Sequence, residues 1–394
     1  MKMISVNEAR QIILQSALTK TSSVVPLSEA FGLVTSEDII ASTDIPNFAQ
    51  SSMDGYALKF SDKDQSLSVI GEMAAGESKQ LSISTNEATR IFTGAPLPEN
   101  ADTVVMQEKI RLENERLIIE DENLSEGLNV RPKGAEVKKG EVAMTEGTYL
   151  SAAALGFLAG IGCAEVSVYT PPKVAIILTG NELQDPGNPL EFGQVYEANS
   201  FQLKAVLSQT GINDIEVFRA EDDPKELHKV LESANENSDV VLLNGGVSVG
   251  DYDFVTEVAN TCGVEEKFHK IRQKPGKPLF FGTKEKKLIF GLPGNPSSSL
   301  TCFYEYVLPA LEKVMRLPSS VTEIKANVTH HYPKPAGLTH FLKAFYSNGK
   351  VTPLHAQESF RLHSFAQANC FIVLPEESLG CTENEEVTVH LLPK

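Results

Sequence analysis

No stretch of this chain is apolar for long enough to span a bilayer. The longest, residues 150–161, is broken by Ser151, Gly156 and Gly160, and a membrane helix needs roughly 20 predominantly apolar residues. The first residues run from Met1, Lys2 and Met3 into polar helix formers without an apolar core, so no secretory leader is expected. Cysteine is scarce: Cys163, Cys262, Cys302, Cys370 and Cys381 lie far apart, with no pair at C-x-x-C spacing. That pattern argues against a zinc ribbon or a disulfide framework and suits a reducing cytoplasm. Cations are outnumbered, 35 Lys and Arg against 52 Asp and Glu, for a formal net charge of −17. Such a surface repels nucleic acid and anionic membranes, and neither is expected as a partner. The eight histidines include no H-E-x-x-H spacing, and the chain has no Walker loop and no nucleophile elbow. Nor is there a tandem repeat or a low-complexity tail.

What is present is a chain of 394 residues, 41% apolar, enough for three or four compact units. Residues 1–20 read as a helix, with Ser5 and Glu8 at capping-box spacing. From about 22 to 150, short apolar runs alternate with Gly, Pro and Asn, which predicts an antiparallel β module. Residues 147–162 read as an apolar helix, and Pro171-Pro172 marks a boundary. Strand and helix patterns then alternate to about Arg316. Residues 174–178, 240–243 and 288–292 are buried strands, while 200–209 and 224–234 are helices. Asn295-Pro296 opens a long helix running to about Met315. This predicts a three-layer α/β unit with a largely parallel sheet. After Pro318 the pattern returns to β, with Asn348-Gly349 as a hairpin turn, and His330-His331 reads as a solvated strand end.

Three strands of the α/β unit end in polar, glycine-bearing loops. They are Thr179-Gly180-Asn181-Glu182, the run from Asn244 through Gly245, Gly246, Ser248 and Gly250 to Asp253, and Gly291-Leu292-Pro293-Gly294-Asn295-Pro296. Ligands of open parallel sheets bind beyond the carboxyl ends of the strands, glycine lets backbone approach a phosphate, and a following helix offers free N–H groups. One such loop is an ordinary tight turn; three in one unit point to a site. The same region carries Glu182, Glu197, Asp251 and Asp253. Acids beside a phosphate site make sense where Mg²⁺ bridges them, and otherwise serve as helix caps and solvated charge. Lys274-Pro275-Gly276-Lys277-Pro278 is either an exposed basic turn or a proline-stiffened pair of compact cations suited to an oxyanion. Three strings of the β module, Ser52 to Ala57, Arg90 to Ala95 and Arg131 to Glu136, have no role assigned by periodicity.

Taken in order, these strings resemble the molybdopterin molybdenumtransferases of the MoeA and gephyrin E-domain type. The matching stretches are 52–57, 92–106, 177–183, 193–200, 245–253, 274–278, 291–296 and 368–375, spread over nearly the whole chain. The resemblance implies a multi-domain α/β plus β protein. It comprises linking helical segments (1–45 and 140–172), a β module (46–139), a molybdopterin-binding α/β domain (173–317) and a C-terminal β-barrel-like domain (318–394). It implies an elongated homodimer whose cleft pairs the α/β domain of one subunit with the β module of the other. The implied reaction joins molybdate to adenylylated molybdopterin and releases AMP, assisted by Mg²⁺. The adenylyltransferase that supplies the substrate and the acceptor molybdoenzymes are implied partners.

Carried over by motif, Asp54, Thr93, Glu182, Asp253, Lys274 and Lys277 are the expected catalytic residues. Gly180, Gly245, Gly246, Ser248, Gly250, Pro293, Gly294, Asn295, Pro296 and Ser298 would bind substrate, with Lys343 and Ser364 beside the molybdate. Glu136, Glu182, Glu197, Asp251 and Asp253 would hold the metal. The chain departs from the family pattern at three points: Ala135-Glu136 replaces Glu-Asp, Glu197 replaces Asp, and Lys343 replaces Arg, which loses a bidentate fork. Two other readings stay open. A molybdopterin adenylyltransferase would use ATP and release pyrophosphate, but the β modules argue against it. A non-catalytic scaffold would not need the retained acids and lysines.

Overall fold

A computed structural model of the protein describes residues 3–19, 21–76, 80–246 and 254–393. The chain divides into two compact units. One comprises residues 1–23, 32–34 and 168–394, the other residues 24–31 and 35–167. The α/β region and the C-terminal β region fall in the first unit together because they share a core. Phe303 and Tyr304 of the α/β region pack in one cluster with Phe341, Phe365 and Phe371 of the β region.

The centre of the first unit is a six-stranded sheet in the order Ile215–Ala220, Val174–Thr179, Val240–Asn244, Lys287–Leu292, Pro278–Lys284 and Glu265–Lys270. The first four strands run parallel, and Pro278–Lys284 runs antiparallel to both its neighbours, Lys287–Leu292 and Glu265–Lys270. Val174–Thr179 and Val240–Asn244 are buried throughout, as strands covered on both faces must be. Val174, Ile176 and Leu178 pack toward the helices Val6–Ser16 and Asn199–Gln209. Ala175 and Ile177 pack toward Pro224–Asn237 and Val255–Thr261. The period of two along a strand thus gives the three layers their two cores. The N-terminal helix starts where its capping box predicts: Ser5 Oγ accepts from the Glu8 N–H at 3.2 Å, and the Ser5 N–H donates to Glu8 Oε2 at 2.7 Å.

The long helix expected after Asn295 is interrupted. Pro296–Cys302 and Leu308–Val314 are α-helical, but Phe303–Val307 forms a π turn. Pro309 explains the break, because proline has no N–H for the fourth carbonyl back and its ring crowds that carbonyl. Beyond it, Thr322–Val328, Thr339–Ser347, Lys350–Pro353, Cys370–Leu374 and Glu386–Leu391 close into a barrel, with Thr339–Ser347 pairing both Lys350–Pro353 and Cys370–Leu374. Asn348 and Gly349, at φ 49° and 79°, make the predicted tight turn.

In the second unit a six-stranded sheet runs Thr103–Met106, Gly55–Leu58, Glu87–Ile91, Leu67–Met73, Arg116–Ile119 and Ile110–Glu113. It is not wholly antiparallel, since Leu67–Met73 and Glu87–Ile91 run parallel. Residues 74–86 between them give enough chain to return to the starting edge. Gly55–Leu58 is buried on both faces, with Tyr56 and Leu58 in one core and Ala57 in the other. The apolar helix of this unit is shorter than its sequence suggested, Ala152–Gly160, because Ser151 caps it by accepting from the Ala154 N–H at 3.3 Å.

Candidate active site

The strand order places a reversal between Val174–Thr179 and Val240–Asn244. From the first of these, the next parallel strand in sequence lies on one side and the following one on the other. A crevice opens beyond the carboxyl ends of strands at such a point. Here it is a cavity of about 740 Å³ lined by Gly180, Glu182, Asn199, Asp222, Asn244, Gly245, Gly246 and the run Pro293 to Pro296. The three glycine-bearing loops therefore meet at one place. Gly245, at φ 98°, is obligatory, because a Cβ there would come within 2.5 Å of Thr179 Oγ1 and 2.8 Å of the Thr179 carbonyl oxygen. Glu182 folds back over Gly180: a Cβ at Gly180 would meet its Oε2 at 2.6 Å.

Beneath this cavity lies an amide network that has no role in the sequence reading. Asn244, 3% exposed, donates from Nδ2 to Ser299 Oγ at 2.8 Å and to the Pro293 carbonyl at 3.3 Å. Asn199 Nδ2 donates to Asn244 Oδ1 at 2.5 Å and to the Gly294 carbonyl at 2.8 Å. Gln202 Nε2 donates to Asn199 Oδ1 at 2.8 Å and to the Pro296 carbonyl at 3.0 Å. Buried amides paired in this way fix the Pro293–Pro296 loop against the strand ends, although Gln202 Oε1 has no hydrogen-bond partner among the described residues. The one signal for Asn244 was its position closing an apolar run, where an ordinary turn residue reads the same. Replacing it by leucine leaves Ser299 Oγ and the Pro293 carbonyl without their donor. Asn244→Leu is therefore expected to cost ~1–3 kcal/mol in chemical denaturation; an unchanged unfolding free energy would show that the Asn244 bonds add no net stability.

Lys274 and Lys277 are both exposed, and neither belongs to an ion pair among the described residues. Pro278, which follows Lys277, reaches the cavity wall. Ser298 is buried, and its carbonyl oxygen lies 3.6 Å from where a Gly276 Cβ would stand. Ser248, Gly250, Asp251 and Asp253 lie outside the described residues.

Three expected residues have other tasks. Glu197 is 2% exposed, and its two oxygens accept from the Ser200 N–H at 2.7 Å and from Ser200 Oγ at 2.6 Å. Its carboxylate thus takes a free N–H of the first turn of the helix Asn199–Gln209, whose N-cap position is Ala198, a structural use of an acid at a helix start. Lys343, 2% exposed, donates from Nζ to the carbonyls of Ala356 and Arg361, each at 2.9 Å, and of Glu358 at 3.5 Å. Burial lowers its pKa to about 8. Ser364 Oγ donates to the same Ala356 and Arg361 carbonyls, at 2.8 and 3.1 Å. Lys343 and Ser364 thus clamp the 355–361 loop instead of facing an anion. That loop in turn touches the cavity rim, where Asn295 Nδ2 donates to Ser359 Oγ at 3.0 Å.

Asp54, Thr93 and Glu136 belong to the second unit. Asp54 Oδ1 accepts from the Thr93 N–H and from Thr93 Oγ1, both at 2.8 Å. Those bonds, the backbone one foremost, and the charge of Arg90 hold its carboxyl below the usual value. Arg90 lies over Tyr56 and Phe92, 5.6 and 5.3 Å from the ring centres. The Ser52–Ala57 and Arg90–Ala95 strings therefore form one cluster, in which Asp54 and Thr93 are exposed and the charges of Asp54 and Arg90 oppose each other. Glu136 is exposed beside Ile45, Pro46, Gln50 and Arg131.

A parallel sheet with glycine loops gathered at its switch point defines an α/β ligand-binding domain, and residues 175–313 match the model described as a probable molybdopterin binding domain. Residues 4–162 match the MoeA N-terminal region (domain I and II), and residues 325–392 the MoeA C-terminal region (domain IV). The chain is 36% identical to a molybdopterin molybdenumtransferase of Haemophilus influenzae, covering 99% of this chain and all of that one. It is 33% identical to a Nostoc protein of the same name, over 94% of this chain and 89% of the relative. A crystal structure of the molybdopterin biosynthesis MoeA protein from Pyrococcus horikoshii superposes with a TM-score of 0.81 at 30% identity, over 99% of this chain and 100% of that one. The chain belongs to the MoeA family.

Proposed function

We propose that this protein inserts molybdate into adenylylated molybdopterin and releases AMP, the closing step of molybdenum cofactor biosynthesis. The observation that carries the reading is the convergence of three glycine loops on one cavity at the sheet's switch point, with Lys277 next to Pro278 of its wall and neither Lys274 nor Lys277 in an ion pair among the described residues. The backbone of Gly180, Gly245, Gly246 and Gly294 approaches the pterin phosphate and the adenylate, and Asn295 and Pro296 start a helix whose free N–H groups suit the phosphates. Lys274 and Lys277 hold molybdate beside Ser298. Catalysis is positioning and charge stabilisation, with cleavage of the phosphoanhydride coupled to transfer of the metal to the dithiolene sulfurs. Asp54, Thr93 and Glu136 are kept as site residues on the family pattern, as are Ser248, Gly250, Asp251 and Asp253.

Mg²⁺ takes oxygen ligands and is commonly held by one or two carboxylates plus phosphates and water. Glu182 and Asp222 line the cavity and fit that donor set; among the described residues no larger cluster of acids, histidines or cysteines gathers. When bound, the ion would neutralise charge on the anhydride. The protein's own contribution is to hold the two carboxylates in the cavity.

The assignment is tested by supplying adenylylated molybdopterin and molybdate and identifying the released nucleotide. AMP is expected. Pyrophosphate formed from ATP would instead identify an adenylyltransferase, and no turnover would overturn both readings.

A homodimer is part of the same proposal. The helix Ala152–Gly160 has no charged residue and fully buries only Leu158, leaving Leu155 and Phe157 partly exposed, an apolar surface that a second copy could cover. Light scattering at micromolar concentration should give twice the monomer mass of 42.9 kDa; the monomer mass would contradict it. The adenylyltransferase that supplies the substrate and the apo-enzymes that accept the product are the partners this chemistry calls for. No described helix is long and apolar enough to cross a membrane, and the cytoplasm is the proposed compartment.

A further inference from the structure

The loop that carries Lys274 and Lys277 is fastened from beneath by side chains that belong to no site described so far. Gln273 is fully buried, and its Nε2 donates to the carbonyls of Pro275 and Gly276, at 3.0 and 3.1 Å. Its Oε1 accepts from the hydroxyl of Tyr306, which is 1% exposed. Every polar atom of the buried Gln273 amide is thus used, and two of its partners are the carbonyls between the two lysines. Cys302 closes the remaining side: a Cβ at Gly276, where φ is 79°, would come within 2.5 Å of its Sγ. Only glycine lets the loop approach so closely.

Tyr306 stands in the π turn Phe303–Val307. A π turn inserts one residue into the helical repeat and so rotates the side chains that follow, and such turns recur at functional sites. Here the turn brings Tyr306 onto Gln273, on the strand Gln273–Lys274. Burial raises the phenol's pKa well above its ordinary value, so the hydroxyl remains a donor throughout the neutral range. Glu305, also buried in the π turn, is engaged with Arg10 and with His390 Nδ1 at 3.0 Å.

We propose that Tyr306 and Gln273 are positioning residues for the anion site, a strut from the π turn that holds Lys274 and Lys277 at one spacing. The proposal rests on the reading of these lysines as the molybdate cations. Both lysines are exposed, and among the described residues no ion pair fixes either ammonium group. Their convergence on one oxyanion then depends on the loop backbone, which the strut holds between two backbone anchors, the pairing of Gln273–Lys274 with Thr339 and His340 and the Ile271 N–H bond to the Lys277 carbonyl at 3.0 Å. Two flexible ammonium groups on a slack loop would bind an oxyanion weakly, because ordering the loop would oppose each binding event.

The test uses the full-length protein and two variants. Tyr306→Phe removes one hydroxyl with almost no change of shape; Gln273→Asn keeps the amide but shortens its reach by one methylene. Equilibrium dialysis with molybdate alone reads the site without turnover, and nucleotide release reads it with substrate. The expected result is a rise of about five- to tenfold in molybdate half-saturation for Tyr306→Phe, the loss of one buried hydrogen bond, and a larger rise for Gln273→Asn. The half-saturation for adenylylated molybdopterin and the release rate at saturating molybdate should stay within about twofold, since the strut touches only the lysine loop. Unchanged molybdate binding in either folded variant would overturn the proposal. So would an equal rise for both substrates, which signals general loosening. If Tyr306→Phe does not fold, Gln273→Asn decides alone. Failure of the parent protein to bind molybdate or to release AMP would instead overturn the functional reading itself.

Discussion

Lys277→Ala is expected to raise the molybdate concentration for half-saturation by about thirtyfold, the equivalent of roughly 2 kcal/mol. The protein carries −17, so molybdate approaches an unfavourable mean field that something local must reverse. Lys274 and Lys277 sit on a short loop beside the cavity, and neither spends its charge on a carboxylate among the described residues. Removing one of two cations leaves a partly desolvated anion short of a partner. The figure is at the low end for charge pairs because Lys277 is exposed before ligand binds, so water screens part of the attraction. Lys277→Arg should recover only part of the loss, since a planar fork does not replace a compact ammonium. Stability should not move, because the side chain packs against no core. Molybdate titration of the two variants decides the matter: an unchanged half-saturation in Lys277→Ala, or a loss that tracks unfolding, would remove Lys277 from the site.

The second large effect is a loss of stability in mild acid that depends on His340. This residue is 4% exposed, on the barrel strand Thr339–Ser347 and in register with Lys274. Burial first, then the charges of Lys334 and Lys274, lowers its pKa from 6.5 to about 4. With the folded-state value below the unfolded one, the unfolded chain binds a proton that the folded chain refuses between those two pH values. The contribution to stability is therefore fully present above pH 6.5 and is lost as pH falls toward 4. The whole window is worth about 3 kcal/mol at most. Unfolding free energies measured from pH 7 to pH 4 should fall more steeply for the parent than for His340→Gln. Parallel curves would mean that His340 gains its proton as easily in the folded protein. In function, protonation would place a third cation beside Lys274, so the neutral ring keeps the lysine loop as a two-cation site.

Much of this architecture was legible because apolar runs were long and bounded. Residues 174–178 and 240–243 read as buried strands since both faces are covered by helices, and Ser5 with Glu8 announced the first helix. The glycine loops were legible as a group for the same reason they meet in space: each ends a neighbouring strand. Elsewhere tertiary context changes how a residue reads. Lys343 is expected beside the molybdate, yet it lies on Thr339–Ser347, where five consecutive residues, His340 to Ala344, are buried instead of alternating. The strand closes the barrel on one face and is covered on the other by the loop that Lys343 itself clamps. Glu197 is expected at the metal because a charge in a loop looks free; its carboxylate is occupied by the Ser200 N–H and hydroxyl at the start of the next helix. Asn199 and Asn244 were passed over because asparagine at a strand or helix end is ordinarily a turn residue. Their buried pairing depends on strands and helices far apart in the chain. The π turn was hidden as well, since Pro309 marks a disturbed helix without saying where the extra residue goes.

The central claim is that loss of the adenylate and arrival of the metal are one event. The direct measurement is a single turnover: protein in excess over adenylylated molybdopterin, with molybdate present or withheld, followed for AMP and for molybdenum that stays with the pterin after separation from free molybdate. The account predicts one pterin-bound molybdenum for each AMP, and no AMP when molybdate is withheld. AMP released at the same rate without molybdate, or AMP formed while the pterin stays free of metal, would contradict it.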